Sequence, residues 1–304
     1  MTYTAEVTDS FARAVGADPH FDAAVVSYIE ALVAWRRGLG NFNKVVSCGA
    51  RQRIMKSVLR LHYSNSTDNP DDGATFERLL SITNPGDGSE ACGPRVLRTV
   101  IALAQRTGHL QVMKGWFDRR LKILRPTEKW IAQEADRHEA ALQSLQLLKL
   151  DRNRFLPPPR GAALVARVAV ASQIDEGCCL MPGAPDAGLR AVCALDGGLA
   201  TAFAVTDAFL RDKRIPSHKE IGSSFRLSAS QARKILRLAA DHGLVTFDGL
   251  GKISDVSGLM AECRQLVAHE LAIYARCVSP SRQPSAQIVL SNTAPVQNSS
   301  EHVN

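Results

Sequence analysis

The chain of 304 residues, 45% hydrophobic, is long enough to bury a sizeable core, and its length favours two domains. A formal charge of +7 and a pI near 9.2 favour a polyanionic partner; no apolar run approaches the roughly 18 residues of a membrane span, and the first 30 residues carry no signal-peptide pattern. Seven cysteines, an odd number with no CxxC spacing, argue against a disulfide framework and a zinc ribbon, so the expected setting is the cytoplasm, at the nucleoid, with no membrane.

Residues 1–19 read as an acidic flexible lead. From His20 to Arg37 the apolar positions Phe21, Ala24, Val25, Tyr28, Ile29, Leu32 and Trp35 recur at three and four, which predicts a helix with one buried face. Gly38 to Asn41 breaks it, and a second helix runs from about Ala50 to Tyr63 with Ile54, Val58 and Leu61 inside and Arg51, Arg53, Lys56 and Arg60 outside. Asn65 to Gly73 is a polar loop, followed by a short helix from Ala74 to Ile82 on Phe76, Leu79 and Leu80.

Gly93 to Lys129 is the stretch around which the rest is organised. A glycine-proline start precedes Leu97, Val100, Ile101 and Ala104 at helical spacing, leaving Arg95, Arg98 and Thr99 on another face. Gly108 stops this helix, Leu110 and Val112 alternate out, Gly115 to Asp118 read as a hairpin tip, and Leu121, Ile123 and Arg125 alternate back. The stretch holds nine Lys or Arg against Asp118 and Glu128, a local net of +7 that equals the charge of the whole chain. The basic charge is concentrated here.

The run DRRLKILRPTEK, Asp118 to Lys129, resembles the wing of MarR-type winged-helix transcription regulators, although Trp130 stands where that family usually has glycine. The resemblance implies a recognition helix followed by a wing, with Arg120 entering the minor groove of DNA and Asp118 orienting it. Trp116 and Phe117 at the tip have two readings, contact with DNA sugars or packing on the neighbouring domain.

Trp130 to Leu150 is expected as one long helix with a seam of Ile131, Ala135, His138, Leu142 and Leu145. The triple proline Pro157 to Pro159 marks a linker at 151–161 and a boundary between domains 20–150 and 162–278. Ala162 to Ser172 is helical by pattern, Cys178 to Gly198 gives no clear elements, and Leu199 to Arg211 is a helix on Phe203, Val205 and Phe209. Ser217 with Glu220, and Ser228 with Gln231, are two consecutive capping boxes around a tight turn at Phe225 to Leu227, a helix-turn-helix pattern.

A shift of 135 positions lays Arg98 on Arg233, Val100 on Ile235, Ile101 on Leu236, Leu103 on Leu238, Ala104 on Ala239 and Gly108 on Gly243. Such self-similarity predicts two copies of one unit. Leu244 to Phe247, the turn DGLG and Lys252 to Ile253 make a shorter, less basic wing; a closing helix runs from Val256 to Arg276, and 279–304 reads as a disordered tail.

The fold expected is mainly α, two tandem winged helix-turn-helix domains with small β-wings and long packing helices. Candidate DNA-binding residues are Arg95, Arg98, Thr99, Lys114, Asp118, Arg119, Arg120 and Lys122 in the first unit, and Ser228, Ser230, Gln231, Arg233, Lys234 and Arg237 in the second. Arginine can bind guanine bidentately while neighbouring Lys and Arg neutralise phosphates. Neither GxxxxGK[ST], GxSxG nor HExxH occurs, so no catalytic residue, metal or cofactor is expected. The expectation is a transcription regulator on double-stranded DNA, with a homodimer and the transcription machinery as further partners. A plasmid-type replication initiator and a winged-helix protein-docking scaffold are the alternatives. Redox sensing by Cys178 and Cys179 stays open.

Overall fold

The computed structural model describes residues 10–64, 69, 71–83, 92–150, 159–171 and 187–278. The linker prolines Pro157 and Pro158, the Cys178-Cys179 pair, residues 1–9 of the lead and the tail 279–304 lie outside them. The elements are α1 (residues 10–16), α2 (Phe21–Gly38), a 3-10 turn (Gly40–Lys44), α3 (Gly49–Tyr63), α4 (Phe76–Thr83), α5 (Pro94–Arg106), β1 (Leu110–Lys114), β2 (Lys122–Pro126) and α6 (Glu128–Gln146). They continue with α7 (Gly161–Ala171), α8 (Ala187–Ala194), α9 (Gly198–Asp212), α10 (His218–Phe225), α11 (Ala229–Asp241), β3 (Thr246–Phe247), β4 (Ile253–Asp255) and α12 (Ser257–Val278). The chain is mainly helical, with two small antiparallel hairpins, β1-β2 and β3-β4. No single helix among the described residues is long and apolar enough to cross a membrane; the apolar pair α8 and α9 is bent by 117°.

A repeat larger than the 135-residue shift emerges. Helices α3, α4 and α5 have 15, 8 and 13 residues, and α9, α10 and α11 have 15, 8 and 13 in the same order. A hairpin and a long helix follow each triplet. What breaks the sequence register is loop length: ten residues, 84–93, join α4 to α5, but three, 226–228, join α10 to α11. Longer connections between elements cost little free energy, so the shift drifts while the helices hold their lengths.

The C-terminal ends of α5 and α11 are built alike. Gly108 (φ 74°) and Gly243 (φ 72°) take the left-handed conformation that glycine adopts without strain, and the amides of His109 and Leu244 each reach back 2.8 Å, to the carbonyls of Ala104 and Ala239.

Two buried clusters hold the chain, and they do not divide at the linker. One joins α3, α4, α5, the sheet and the start of α6 with Val165 and Ala169 of α7, from beyond the linker. The other joins α8 to α12 with Phe21, Tyr28 and Leu32 of α2 and Ala141, Leu142 and Leu145 of α6, from before it. Polar bonds cross the same seam. The Tyr274 hydroxyl lies 2.8 Å from Nδ1 of buried His138, and Tyr28 donates to Glu270 at 3.3 Å.

Several local expectations change. Residues 10–16, read as part of a flexible lead, form a helix that buries Ala12 and Val15. Arg51, Arg53, Lys56 and Arg60 are half-buried rather than outside, because α3 packs against α4, α5 and β2 and also against α7 and α8. α9 is not a one-faced helix: every residue from Gly198 to Ala208 is buried, since α2, α8, α11 and α12 all pack on it. α6 ends at Gln146, four residues short of the expected Leu150.

Candidate nucleic-acid interface

The apolar stripe of α5 buries Leu97, Val100 and Ala104, so Arg95, Arg98, Thr99 and Arg106 stand in solvent. Pro94 at the first helical position has no amide to leave unsatisfied. The guanidinium of Arg98 lies 5.2 Å over the ring of Phe76, the first residue of α4. The Thr99 hydroxyl donates to the carbonyl of Arg95 at 2.9 Å.

The hairpin that follows pairs Leu110 with Pro126 through Lys114 with Lys122. Lys114 and Lys122 are therefore direct cross-strand neighbours, both exposed, a like-charge pair that weakens a free hairpin and that a polyanion relieves. Its tip is held from outside. The carboxylate of Asp71, in the loop before α4, accepts the consecutive amides of Trp116, Phe117 and Asp118, the last two at 2.9 Å. These bonds hold the Asp71 carboxyl below its ordinary value, the amide of Asp118 having the largest effect. Gly115 lets the loop pass: a Cβ there would lie 2.3 Å from the Asp118 carbonyl oxygen and about 3 Å from Asp71. The Asp118 carboxylate accepts the backbone amide of Arg120 at 2.9 Å, so it fixes the main chain of Arg120 rather than its guanidinium. Arg119 and Arg120 are exposed, and so are Trp116 and Phe117, which excludes packing of that pair on the neighbouring unit.

In the second unit α11 buries Ala232, Ile235, Leu236 and Ala239, which exposes Arg233, Lys234 and Arg237. Arg233 stands beside His218, the first residue of α10, as Arg98 stands beside Phe76. Burial first, then Arg233 and Arg237, pushes the His218 imidazole below 6.5. The capping box at Ser217 and Glu220 is complete, and those bonds, with that from Arg214, hold the Glu220 carboxyl down at about 2. That at Ser228 is half formed. The Ser228 hydroxyl accepts the amide of Gln231 at 3.0 Å and lies 2.8 Å from Ser230, but the Gln231 side chain donates to the carbonyl of Asp196 at 2.7 Å. Gln231 is half-buried and so engaged inside the chain, not free to read a base.

Asp196 anchors a wider junction. Its carboxylate accepts the Ser47 hydroxyl at 2.7 Å and pairs with Arg51 at 3.5 Å, while the next amide, of Gly197, donates to the carbonyl of Ser47 at 2.7 Å. The start of α3 is thereby tied to the start of α11.

Ion pairs hold several of the arginines elsewhere in the chain. Arg78, Arg137, Arg211, Arg214 and Arg264 each hold an ion pair with Asp or Glu. Among the described residues Arg95, Arg98, Lys114, Arg119, Arg120, Lys122, Arg233, Lys234 and Arg237 hold none. No group of three or more His, Cys, Asp or Glu that could hold a metal ion occurs among the described residues.

Sequence reasoning missed Asp71, Phe76, Asp196 and His218 as supports of these faces. The NPDDG turn around Asp71 was visible as a loop, but its partner lies 45 to 47 residues downstream, beyond any local pattern. No protein-family model matches the chain, and neither a curated protein nor a solved structure does.

Proposed function

We propose that the chain is a transcription regulator that binds double-stranded DNA through two winged-helix heads, α3 to α6 and α9 to α12. The observation that carries this reading is the repeated face: two helix triplets of equal lengths, each ending in a helix with an unpaired arginine at the same position, Arg98 and Arg233. A helix of this kind fills the major groove, where arginine binds the O6 and N7 of guanine, and the neighbouring cations neutralise phosphates. The hairpin lysines Lys114 and Lys122, with Arg119, then track the backbone beside the groove, and Arg120 enters the minor groove, as the MarR-type resemblance of Asp118 to Lys129 implies. On this reading one chain is a pseudo-dimer carrying both heads, supported by α2 and α7 each adding residues to the cluster on the far side of 151–161.

Selection of bound fragments from genomic DNA, followed by sequencing and salt titration of the best site, tests this. A promoter-centred motif with a steep loss of affinity in salt supports regulation. Clustered direct repeats at an origin point to a replication initiator instead. No enrichment over input removes both, and a salt-insensitive protein partner in its place makes these faces docking surfaces.

A further inference from the structure

The tips of both hairpins carry large apolar side chains in open solvent. Trp116 is 78% exposed and Phe117 75% on the first, and Leu250 is 84% exposed on the second. They are the most exposed large hydrophobic residues of the described chain. Exposed apolar tips on a disordered loop would mean little, but both loops are pinned. Asp71 holds the amides of residues 116 to 118, and on the second hairpin the Asp248 carboxylate accepts the amides of Leu250 at 2.9 Å and Lys252 at 2.8 Å. Each apolar group is thus presented outward on a fixed frame, at a cost in hydration that folding does not recover.

The surroundings of the first tip say what covers it, while the second, where Lys252 and Asp248 stand near Leu250, is read by its matching place and exposure. Lys114, Arg119, Arg120 and Lys122 flank Trp116 and Phe117, and none of the four is in an ion pair among the described residues. An apolar point ringed by free cations matches a stack of base pairs edged by phosphates. Resting on the DNA-binding reading above, we propose that the two hairpin tips act as wedges: Phe117 with Trp116, and Leu250, enter the minor groove, part a base step and kink the duplex. Phenylalanine and leucine are side chains that minor-groove proteins use in this way, with kinks of about 20–90°. The rigid frame matters because a wedge that must first be ordered loses the free energy that unstacking requires. Pyrimidine–purine steps, which unstack most easily, are the sites it selects, so the wedge adds sequence preference without a base-edge hydrogen bond.

The test uses the full chain and a duplex carrying the best site from the genomic selection, labelled at its ends for energy transfer and bearing 2-aminopurine at the candidate step. Wild type should bend the duplex by roughly 20–90° and raise the 2-aminopurine emission. Phe117→Ala combined with Trp116→Ala should straighten one kink and silence that probe, and Leu250→Ala should do the same for the other. Phe117→Leu should restore much of the bend. The salt slope should not change in these variants, because apolar side chains release no counterions, whereas Arg120→Ala lowers it by about one. All three positions are exposed, and an unaltered thermal transition confirms that the variants fold. Of the three tryptophans only Trp116 is exposed, so its emission reports contact directly, with Trp116→Phe as the control. Tight, specific binding with a straight duplex and silent 2-aminopurine overturns the wedge and leaves the DNA-binding reading intact. Absence of duplex binding overturns both. A blue shift of Trp116 on vesicles of anionic phospholipid but not on DNA assigns the tips to a membrane surface and ends the proposal.

Discussion

α5 buries Leu97, Val100 and Ala104 and α11 buries Ala232, Ile235 and Ala239 at the same positions, yet among their fully exposed residues only Arg98 and Arg233 are identical. Arg95 corresponds to Ser230, Thr99 to Lys234, and Arg106 to Asp241, where the charge inverts. The hairpins diverge further: the first has five-residue strands, the second strands of two and three residues with a bulge between Thr246 and Phe247. The inner positions stay apolar although their volumes differ, Leu97 against Ala232 and Val100 against Ile235, while outward positions are free to carry different charges. The two stretches share helix lengths and inner-face positions but not surfaces, and the first carries the longer and more basic hairpin.

The strongest way to break this comparison is through the cores. Leu97→Ala and Ile235→Ala, both fully buried, should each cost about 2–5 kcal/mol in chemical denaturation. Because α2 and α7 each cross to the other cluster, both variants should shift one common transition. Two separate transitions, each moved by one variant, would show independent units.

Arg98→Ala and Arg233→Ala should each lose about 1–3 kcal/mol on the best site and relax preference at one half-site. Titration against selected and scrambled duplexes reads this. Equal loss on both duplexes would mean that the arginines hold phosphates only. Gln231→Ala separates support from reading in the second unit. It removes the bond to Asp196 and should lower stability by about 0.5–1.5 kcal/mol while leaving base preference unchanged.

The pH dependence sharpens the picture of the seam. Burial, aided by nearby cations, pushes His138 well below 6.5 and His62 to about 4, so the unfolded chain binds more protons than the folded one in that window. Stability should be full above about pH 6.5 and fall as pH drops toward 4. His62→Gln should flatten part of that slope in denaturation midpoints measured across the range.

The smallest effect expected is at the tip of the first hairpin. Asp71→Asn should speed amide exchange at residues 116 to 118 with little change in global unfolding, since the bonds lie at the surface. The carboxylate's contribution is present above its ordinary pKa of 3.8 and disappears as pH falls through the lower folded value. Unchanged exchange in the variant would mean that the hairpin holds its own tip.

The local pattern of the sequence was enough to place helix ends within a few residues at Pro94, Ser217, Ser228 and Gly243, because caps, prolines and left-handed glycines act within one turn. The identity of the outward residues on α5, and their charge, were equally legible, since a 3.6-residue period fixes which side chains share a face. The equal helix triplets were not, because loops of unequal length destroy a constant sequence shift. Nor were the crossing of α2 and α7 into clusters beyond 151–161, the burial of α9 on all sides, or the hold of Asp71 on the hairpin tip and of Asp196 on Gln231. Each of these depends on contacts between residues far apart in the chain, and which distant partner satisfies a buried helix face or a free carboxylate is decided only when the chain packs.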